Sequence, residues 1–332
     1  MKRRAFAASI LVSALCMGLA ATGNVRAETF PSHVITIIVP SSAGGPGDVS
    51  AKLITDKMSS ILGQQVIVEY APGAGGTIGM TRVARAAPDG YTLMIHQVGF
   101  VIANALYDKL PFDTAKDFIT VGLVNQSHTY LVGRDTLPAT TFQELLAWAR
   151  GPGKPAKLAH PGAGSNGHIT STMLSRIVGT DISLVPYRGI APAVNDLLGG
   201  HVDMASVGAA VATPHVQGGR LKAFASSASK RSAELPNVPT FGEVGHPELE
   251  RPFWHALFAP AGTPRPIVEK LNAALQETLR DPKVLTMYKN SGVDAYPQNL
   301  WSIQAANDYV KAETALLSKI VRENNIKVSP SN

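Results

Sequence analysis

The chain has 332 residues, 45% of them hydrophobic, with 30 basic against 24 acidic side chains and a formal charge of +6. That length is enough for roughly two domains with cores of their own. Lys2, Arg3, Arg4 and Arg26 all fall within the first 27 residues; without them 26 basic residues face 24 acidic ones, a net +2. The charge therefore does not argue for a nucleic-acid partner.

Residues 1–27, MKRRAFAASILVSALCMGLAATGNVRA, have a basic start, an apolar run over about residues 5–21, and a small-x-small ending at Val25-Arg26-Ala27. This is the pattern of a secretory signal peptide cleaved after Ala27. The run is short for a membrane anchor and no stop-transfer charges follow it. Leu15 precedes Cys16 where a lipoprotein signal wants a small residue. Cys16 is the only cysteine, so the mature chain has no disulfide and depends on packing alone. No later segment reaches about 18 uninterrupted apolar residues, which predicts a soluble mature protein.

Beyond the leader, apolar β-branched runs alternate with helical patterns. HVITIIVP (33–40) reads as a buried strand, DVSAKLITDKMSSILG (48–63) as a helix closed by Gly63, and QQVIVEY (64–70) as a second strand. GMTRVARAAPDG is helix-like and ends in the turn Pro88-Asp89-Gly90, ahead of the strand GYTLMIH (90–96). After residues 118–134 the pattern restarts: TFQELLAWAR helix, AKLAHP strand, HITSTMLSRIVG helix, ISLVPY strand, APAVNDLLGG helix, then the strands VDMASVG and LKAFASS. A helix opens at Thr263-Pro264 with an apolar face of Ile267, Val268, Leu271, Leu275 and Leu279. A last amphipathic helix covers about residues 303–323. Such alternation predicts α/β layers with mainly parallel sheets.

The two halves correspond. Ala43-Gly44-Gly45-Pro46-Gly47-Asp48-Val49 follows a strand ending in Pro40, and Ala163-Gly164-Ser165-Asn166-Gly167-His168-Ile169 follows one ending in Pro161. Each is a glycine loop opening a helix. Glycine lets backbone N–H groups converge, and a helix N-terminus attracts anions, so the chemistry offered is recognition of a carboxylate or phosphate. Ser41, Ser42, Ser165 and Asn166 can add hydrogen bonds. Tight turns packed against a sheet would have the same glycines.

Two sharper readings of 162–168 compete. Gly162, Gly164 and Gly167 have dinucleotide-loop spacing, but the next strand ends in Tyr187 and Arg188 where a ribose-holding acid belongs. Ala163, Ser165 and Gly167 resemble a nucleophile elbow, which makes a secreted serine hydrolase using Ser165 the alternative function; His201, His215, His246 and His255 are available without a spacing that favours any. The nine histidines show no metal-ligand spacing. No cofactor and no metal are expected.

Seven ordered segments carry a family resemblance: FPSHVITIIVPSSAGGPGDVSAKLI, APGAGGTIGMTRVARAAPDGYTLM, ALYDKLPFDTAKDF, GAGSNGH, VPYRGIAPAVNDLLGGHVDM, GRLKAFASSASKRSAELPNVPTFGEVG and LFAPAGTPRPIVEKLNAAL. Across essentially the whole mature chain they resemble the Bug-type substrate-binding proteins of tripartite tricarboxylate transporters. The resemblance implies a non-enzymatic receptor in the periplasm with the Venus-flytrap fold of periplasmic binding proteins: two α/β lobes joined by two crossing segments and closing on a small organic acid, a di- or aromatic carboxylate. Lobe 1 would be residues 28–124 plus 254–332 and lobe 2 residues 125–253. The implied partners are two membrane subunits of the transporter, or a sensor kinase if the protein signals.

By position, the ligand-facing residues implied are Ser41, Ser42, Ala43, Gly44, Gly45 and Asp48; His96, Gln97 and Phe100; Ser165, Asn166, Gly167 and His168; Arg188 and Gly189; and Ala205, Ser206 and Val207. Ser165 is read as a hydrogen-bond donor to the ligand. Asp48 either takes a ligand ammonium or caps its helix, and Arg188 either forks onto a carboxylate or faces solvent. His96 and Phe100 either stack on an aromatic acid or pack under the sheet. Relatives usually carry a Thr before the acid of the first loop and small residues after the third strand. Gly47 and the run His96-Gln97-Val98-Gly99-Phe100 depart from that pattern where selectivity is set.

Overall fold

The computed structural model describes residues 30–153, 155–162, 164–179, 182–187, 189–323 and 326. The leader with its cleavage site, Ala163 and Arg188 lie outside the described residues. The first strands and helices are β1 (Ile35–Val39), α1 (Pro46–Leu62), β2 (Val66–Tyr70), α2 (Thr77–Ala84), β3 (Thr92–His96), α3 (Val98–Leu106) and β4 (Phe118–Ser127). The middle of the chain forms β5 (Thr129–Arg134), α4 (Phe142–Ala149), β6 (Lys157–His160), α5 (Asn166–Val178), β7 (Ser183–Pro186), α6 (Ile190–Leu198), β8 (Met204–Gly208), α7 (Ala209–Gln217) and β9 (Leu221–Ser226). β10 (Phe253–Pro260), α8 (Arg265–Arg280), α9 (Pro282–Asn290) and α10 (Ile303–Glu323) follow.

The strands make two five-stranded sheets of the same plan, ordered β2-β1-β3-β10-β4 and β7-β6-β8-β5-β9. β1 and β6 hold equivalent places, so the two glycine loops leave matching strands. The fold is the expected two-lobed α/β architecture, but the sheets are mixed rather than mainly parallel. β10 runs antiparallel to β3 and β4, and β5 antiparallel to β8 and β9. The reason is direction of travel. A strand–helix–strand unit delivers each strand toward the same edge, whereas β5 and β10 each enter their sheet from the opposite one and must run back.

Local sequence explains the elements. β1, ITIIV, is β-branched and its inward residues Ile35, Ile37 and Ile38 are fully buried, as expected for an inner strand covered on both faces. α1 starts with Pro46 at its first turn and ends at Gly63, whose φ of 71° lets its N–H reach Ser59 O at 3.0 Å. Ala51, Ile54 and Met58 on one stripe are wholly buried, and each large side chain contributes about 2 kcal/mol of transfer free energy. α4 opens with a capping box between Thr141 and Glu144. In the second sheet, one apolar cluster gathers Leu131, Leu158, Leu174, Met204 and Phe224, and another Tyr130, Val132, Ala159, Ala205 and Val207, so both faces are covered. Trp254 in β10 is 0% exposed, and its Nε1–H donates to Glu313 Oε2 at 3.0 Å while Arg251 pairs with Glu313 Oε1. That ties the entry to β10 onto α10. Among the described residues no helix is long and apolar enough to cross a membrane.

Candidate functional site

The carboxyl ends of the parallel strands carry six short segments: 40–48, 71–77, 96–99, 161–168, 187–190 and 206–209. Ligands of open α/β sheets bind at this edge. In all six the only acid is Asp48 and the only permanent cation is Arg188. The segments of the two sheets meet. A Cβ placed on Gly99 would lie 3.8 Å from Gly164 O, and one on Gly164 would lie 2.9 Å from Leu106 Cδ2. The second glycine loop therefore packs along α3, from Gly99 near its start to Leu106 at its end.

In the first loop, Ser41, Ser42, Ala43 and Gly44 are exposed and Gly45 is half-buried at the N-cap of α1, where no side chain caps. The loop is held from behind by Asp48, only 3% exposed, whose Oδ2 accepts from Gly44 N–H at 2.7 Å and from Lys52 Nζ at 3.0 Å, while Oδ1 accepts from Tyr70 O–H at 2.8 Å. Burial opposes its ionisation. The bonds from Gly44, Tyr70 and Lys52 outweigh that and hold the carboxyl below its ordinary value. Asp48 thus resembles neither expectation closely: its acceptor positions are taken by the protein rather than by a ligand ammonium, and it sits at the third helical position, reaching back to shape the loop.

In the second loop, Ser165 is the N-cap of α5. Its Oγ accepts from His168 N–H at 3.1 Å and donates to Gly162 O at 2.7 Å. A hydroxyl has one proton. With its proton on Gly162, Ser165 serves its own loop, and among the described residues no imidazole bonds to its Oγ as an activating base would. Asn166 and Gly167 are buried in the first turn of α5. Gly167 is forced, because a Cβ there would lie 2.6 Å from Pro161 Cδ. His168 Nδ1 accepts from Gly164 N–H at 3.2 Å, which leaves the neutral ring's proton on Nε2. Its ring stacks on His160 at 4.6 Å, and burial, reinforced by His160, lowers its pKa to about 4.

His96 ends β3 with 7% of its surface exposed, and burial lowers its pKa to about 4. Its ring edge fits against two glycines: Nε2 lies 3.1 Å from the Cβ position of Gly76 and 3.4 Å from that of Gly99. His96 Nε2 and Gln97 Oε1 are buried without a hydrogen-bond partner among the described residues. Ser206, 5% exposed at the end of β8, has an unpartnered Oγ too, and its carbonyl lies 3.8 Å from the Cβ position of Gly167. Gly189 caps α6 with a φ of 111°.

Three expected residues do not join this group. Phe100 is 3% exposed and stacks on Phe258 at 4.1 Å, edge-on to Phe118, inside the first lobe. Ala205 and Val207 are 0% exposed and belong to the apolar cluster under α6 and α7, because neighbours of Ser206 along a strand point to the opposite face. Sequence reasoning passed over Gly76 and Gly99, whose missing side chains admit the His96 ring; their only signal was position at strand ends. It also missed a buried triad beside the crossing: His255 Nδ1 lies 3.0 Å from both Ser50 Oγ and Asn125 Oδ1, which removes His255 as a partner for Ser165. Among the described residues no cluster of His, Cys, Asp and Glu can hold a metal ion.

Known proteins share this fold. Residues 50–326 match the family described as tripartite tricarboxylate transporter family receptor. The periplasmic binding protein BugD superposes with a TM-score of 0.82 at 34% identity over 90% of this chain and 100% of its own. MatC from Rhodopseudomonas palustris, solved with malate, gives 0.81 at 35% identity over 88% and 100%. An R. palustris protein solved with adipate gives 0.82 at 28% identity over 90% and 100%. These neighbours are solute-binding receptors rather than enzymes. The chain belongs to the tripartite tricarboxylate transporter receptor family, as a Bug-type periplasmic solute-binding receptor.

Proposed function

We propose that the protein binds a small organic carboxylate, a di- or aromatic acid, between its lobes and delivers it to the two membrane subunits of a tripartite transporter. The observation that carries the reading is the pair of glycine loops that leave equivalent strands, β1 and β6, at the N-termini of α1 and α5. They offer backbone N–H groups and helix dipoles in a cleft whose single acid, Asp48, is already engaged. Malate and adipate in two neighbours support the same chemistry. The leader, removed after Ala27, would place the receptor in the periplasm. The lobes would be residues 28–124 plus 254–332 and residues 125–253, hinged where β4 passes into β5 and where the chain enters β10; the sheet membership of those strands supports this division.

Thermal unfolding of the mature chain against a panel of free acids tests the reading. A ligand at 100 times its Kd adds about 2.7 kcal/mol. Spread over roughly 300 residues, that raises Tm by about 4 °C. Stabilisation by at least one acid without turnover is expected; indifference to the whole panel would overturn it.

A further inference from the structure

We infer that Gly292 and Ala210 form the stop on which the two lobes come to rest when they close, so that the missing side chain at position 292 sets how narrow the cleft becomes. The inference rests on the two-lobed fold; that the closed cleft holds an acid is the separate reading given above.

The first crossing leaves a single residue between its ties. Gln126, near the end of β4, exchanges backbone bonds with Asp294, donating at 2.8 Å and accepting at 2.7 Å, and so belongs to the first lobe. His128 O accepts from Ala209 N–H at 3.0 Å, which ties it to the second. Only Ser127 lies between, and the lobes turn about it at this crossing. The second crossing is pinned alike. Glu250 Oε1 accepts from Gly242 N–H at 2.8 Å on the second lobe's side, while Arg251 pairs with Glu313 at 3.0 Å on the first.

Beside those ties the lobes touch. Gly292 follows α9 with a φ of 63°, and a Cβ built on it would lie 2.9 Å from Ala210 Cβ and 3.0 Å from Ala210 Cα and N. Carbon atoms at rest sit about 3.5–4.0 Å apart. Two of the three opposing atoms are backbone in the first turn of α7, and no change of rotamer moves them. The glycines that meet across the cleft are less constrained. A Cβ on Gly99 would have 3.8 Å to Gly164 O, and one on Gly164 would meet only the end of the Leu106 side chain, which can turn. A contact on the far side of the axis would part as Gly99 and Gly164 come together. Both contacts are shut in one arrangement, so Gly292 meets Ala210 on the closing side.

Gly292 also ends a helix, where left-handed backbone favours glycine. Gly63 separates the two roles, because it ends α1 with a φ of 71° and its Cβ position has nothing within 4 Å.

Pulsed electron-spin distances test the stop. Cys16 lies in the leader, so labels on Ile67→Cys and Ser183→Cys are the only ones in the mature chain. Both positions are exposed and stand on β2 and β7, the edge strands away from the crossings, where a small rotation is read largest. Gly292→Ala must open its contact by about 0.5–1 Å near the axis, which should lengthen the shortest distance the labels reach by roughly 2 Å. Gly63→Ala should lower Tm by as much and leave that distance unchanged. Ala210→Val adds two stiff methyls without backbone strain. It should lengthen the distance too, with a Tm within about 2 °C of the parent. Whichever of malate and adipate binds the wild type in calorimetry should bind about threefold or more weakly to Gly292→Ala and equally well to Gly63→Ala. An unchanged or shorter distance in Gly292→Ala and Ala210→Val, or the same lengthening in Gly63→Ala, would overturn the inference. Silence of both acids would bear on the receptor reading alone, and the distances would still decide the stop.

Discussion

Asp48 offers the sharpest test of how the first loop is held. Asp48→Ala removes acceptors from Gly44 N–H, Tyr70 O–H and Lys52 Nζ at 2.7, 2.8 and 3.0 Å. A bond to a charged group is worth about 1.5–3 kcal/mol when buried. Two of the donors can turn to water, and the Lys52 side chain is 60% exposed, so its ion pair adds only a few tenths. The expected loss is about 2–3 kcal/mol, or roughly 3–5 °C in Tm for a chain of this size. Asp48→Asn should cost about 1 kcal/mol or less, because its Oδ1 can still accept from Gly44 while its amide donates to Tyr70. Urea unfolding measures both. The folded carboxyl titrates below its unfolded value, so this stability is complete above about pH 4 and is lost as the pH falls through the lower folded value; the gap between wild type and Asp48→Ala should close there. Affinity for an acid should fall about tenfold or more in the alanine variant and little in the asparagine one, because the loop's shape is at stake. An alanine variant within about 0.5 kcal/mol of wild type would refute this account. Asparagine and alanine proving equally poor at binding a ligand that carries an ammonium would make Asp48 a ligand contact instead.

The remaining expectations concern packing and protonation. His96 and His168 titrate near 4 and His255 near 3, chiefly because burial disfavours their charged forms, so they stay neutral while the unfolded chain takes up protons near 6.5. Stability should therefore be full above about pH 7 and decline between about 6.5 and 4, by up to about 1.4 kcal/mol per pH unit for each histidine; a flat urea midpoint over that window would refute it. Gly167→Ala should cost about 1–3 kcal/mol, since its Cβ would meet Pro161 Cδ at 2.6 Å, whereas Gly47→Ala, at the matching place in α1 with 3.3 Å to Val39 Cγ1, should be far milder in thermal unfolding. Ser165→Ala should lose about 1 kcal/mol, the worth of an N-cap, and leave ester hydrolysis no lower than in wild type, because the protein has none to lose.

Much of the fold was legible because local signals and burial agree. β1 is β-branched and buried, and α1 carries its proline, its stripe and its terminal glycine in order. α3 escaped because VGFVIANAL is buried on nearly every side, so no amphipathic stripe marks it. α7 hid behind Pro214, and α9 behind the Asp281-Pro282 break that follows α8. The site was legible as places rather than roles. Glycine spacing located both loops, yet Ser165 and Asp48 turned out to serve those loops, because a side chain's hydrogen-bond partners depend on three-dimensional neighbours that short motifs do not encode. Ala205 and Val207 adjoin Ser206 in sequence but are buried in the apolar cluster on the strand's other face, a distinction that short motifs do not carry.

The reversed strand at the centre of the first sheet sets a timetable for the nascent chain. β10 lies between β3 and β4, pairing Met94 with Phe258 across 164 positions, and β4 has no other neighbour in the sheet. While the ribosome is still short of about residue 260, the first lobe holds only a three-stranded fragment, whereas the second lobe already has all five of its strands. Closing so distant a pair is slow. The consequence is an order of assembly: half of the molecule cannot lock until the last quarter has been made.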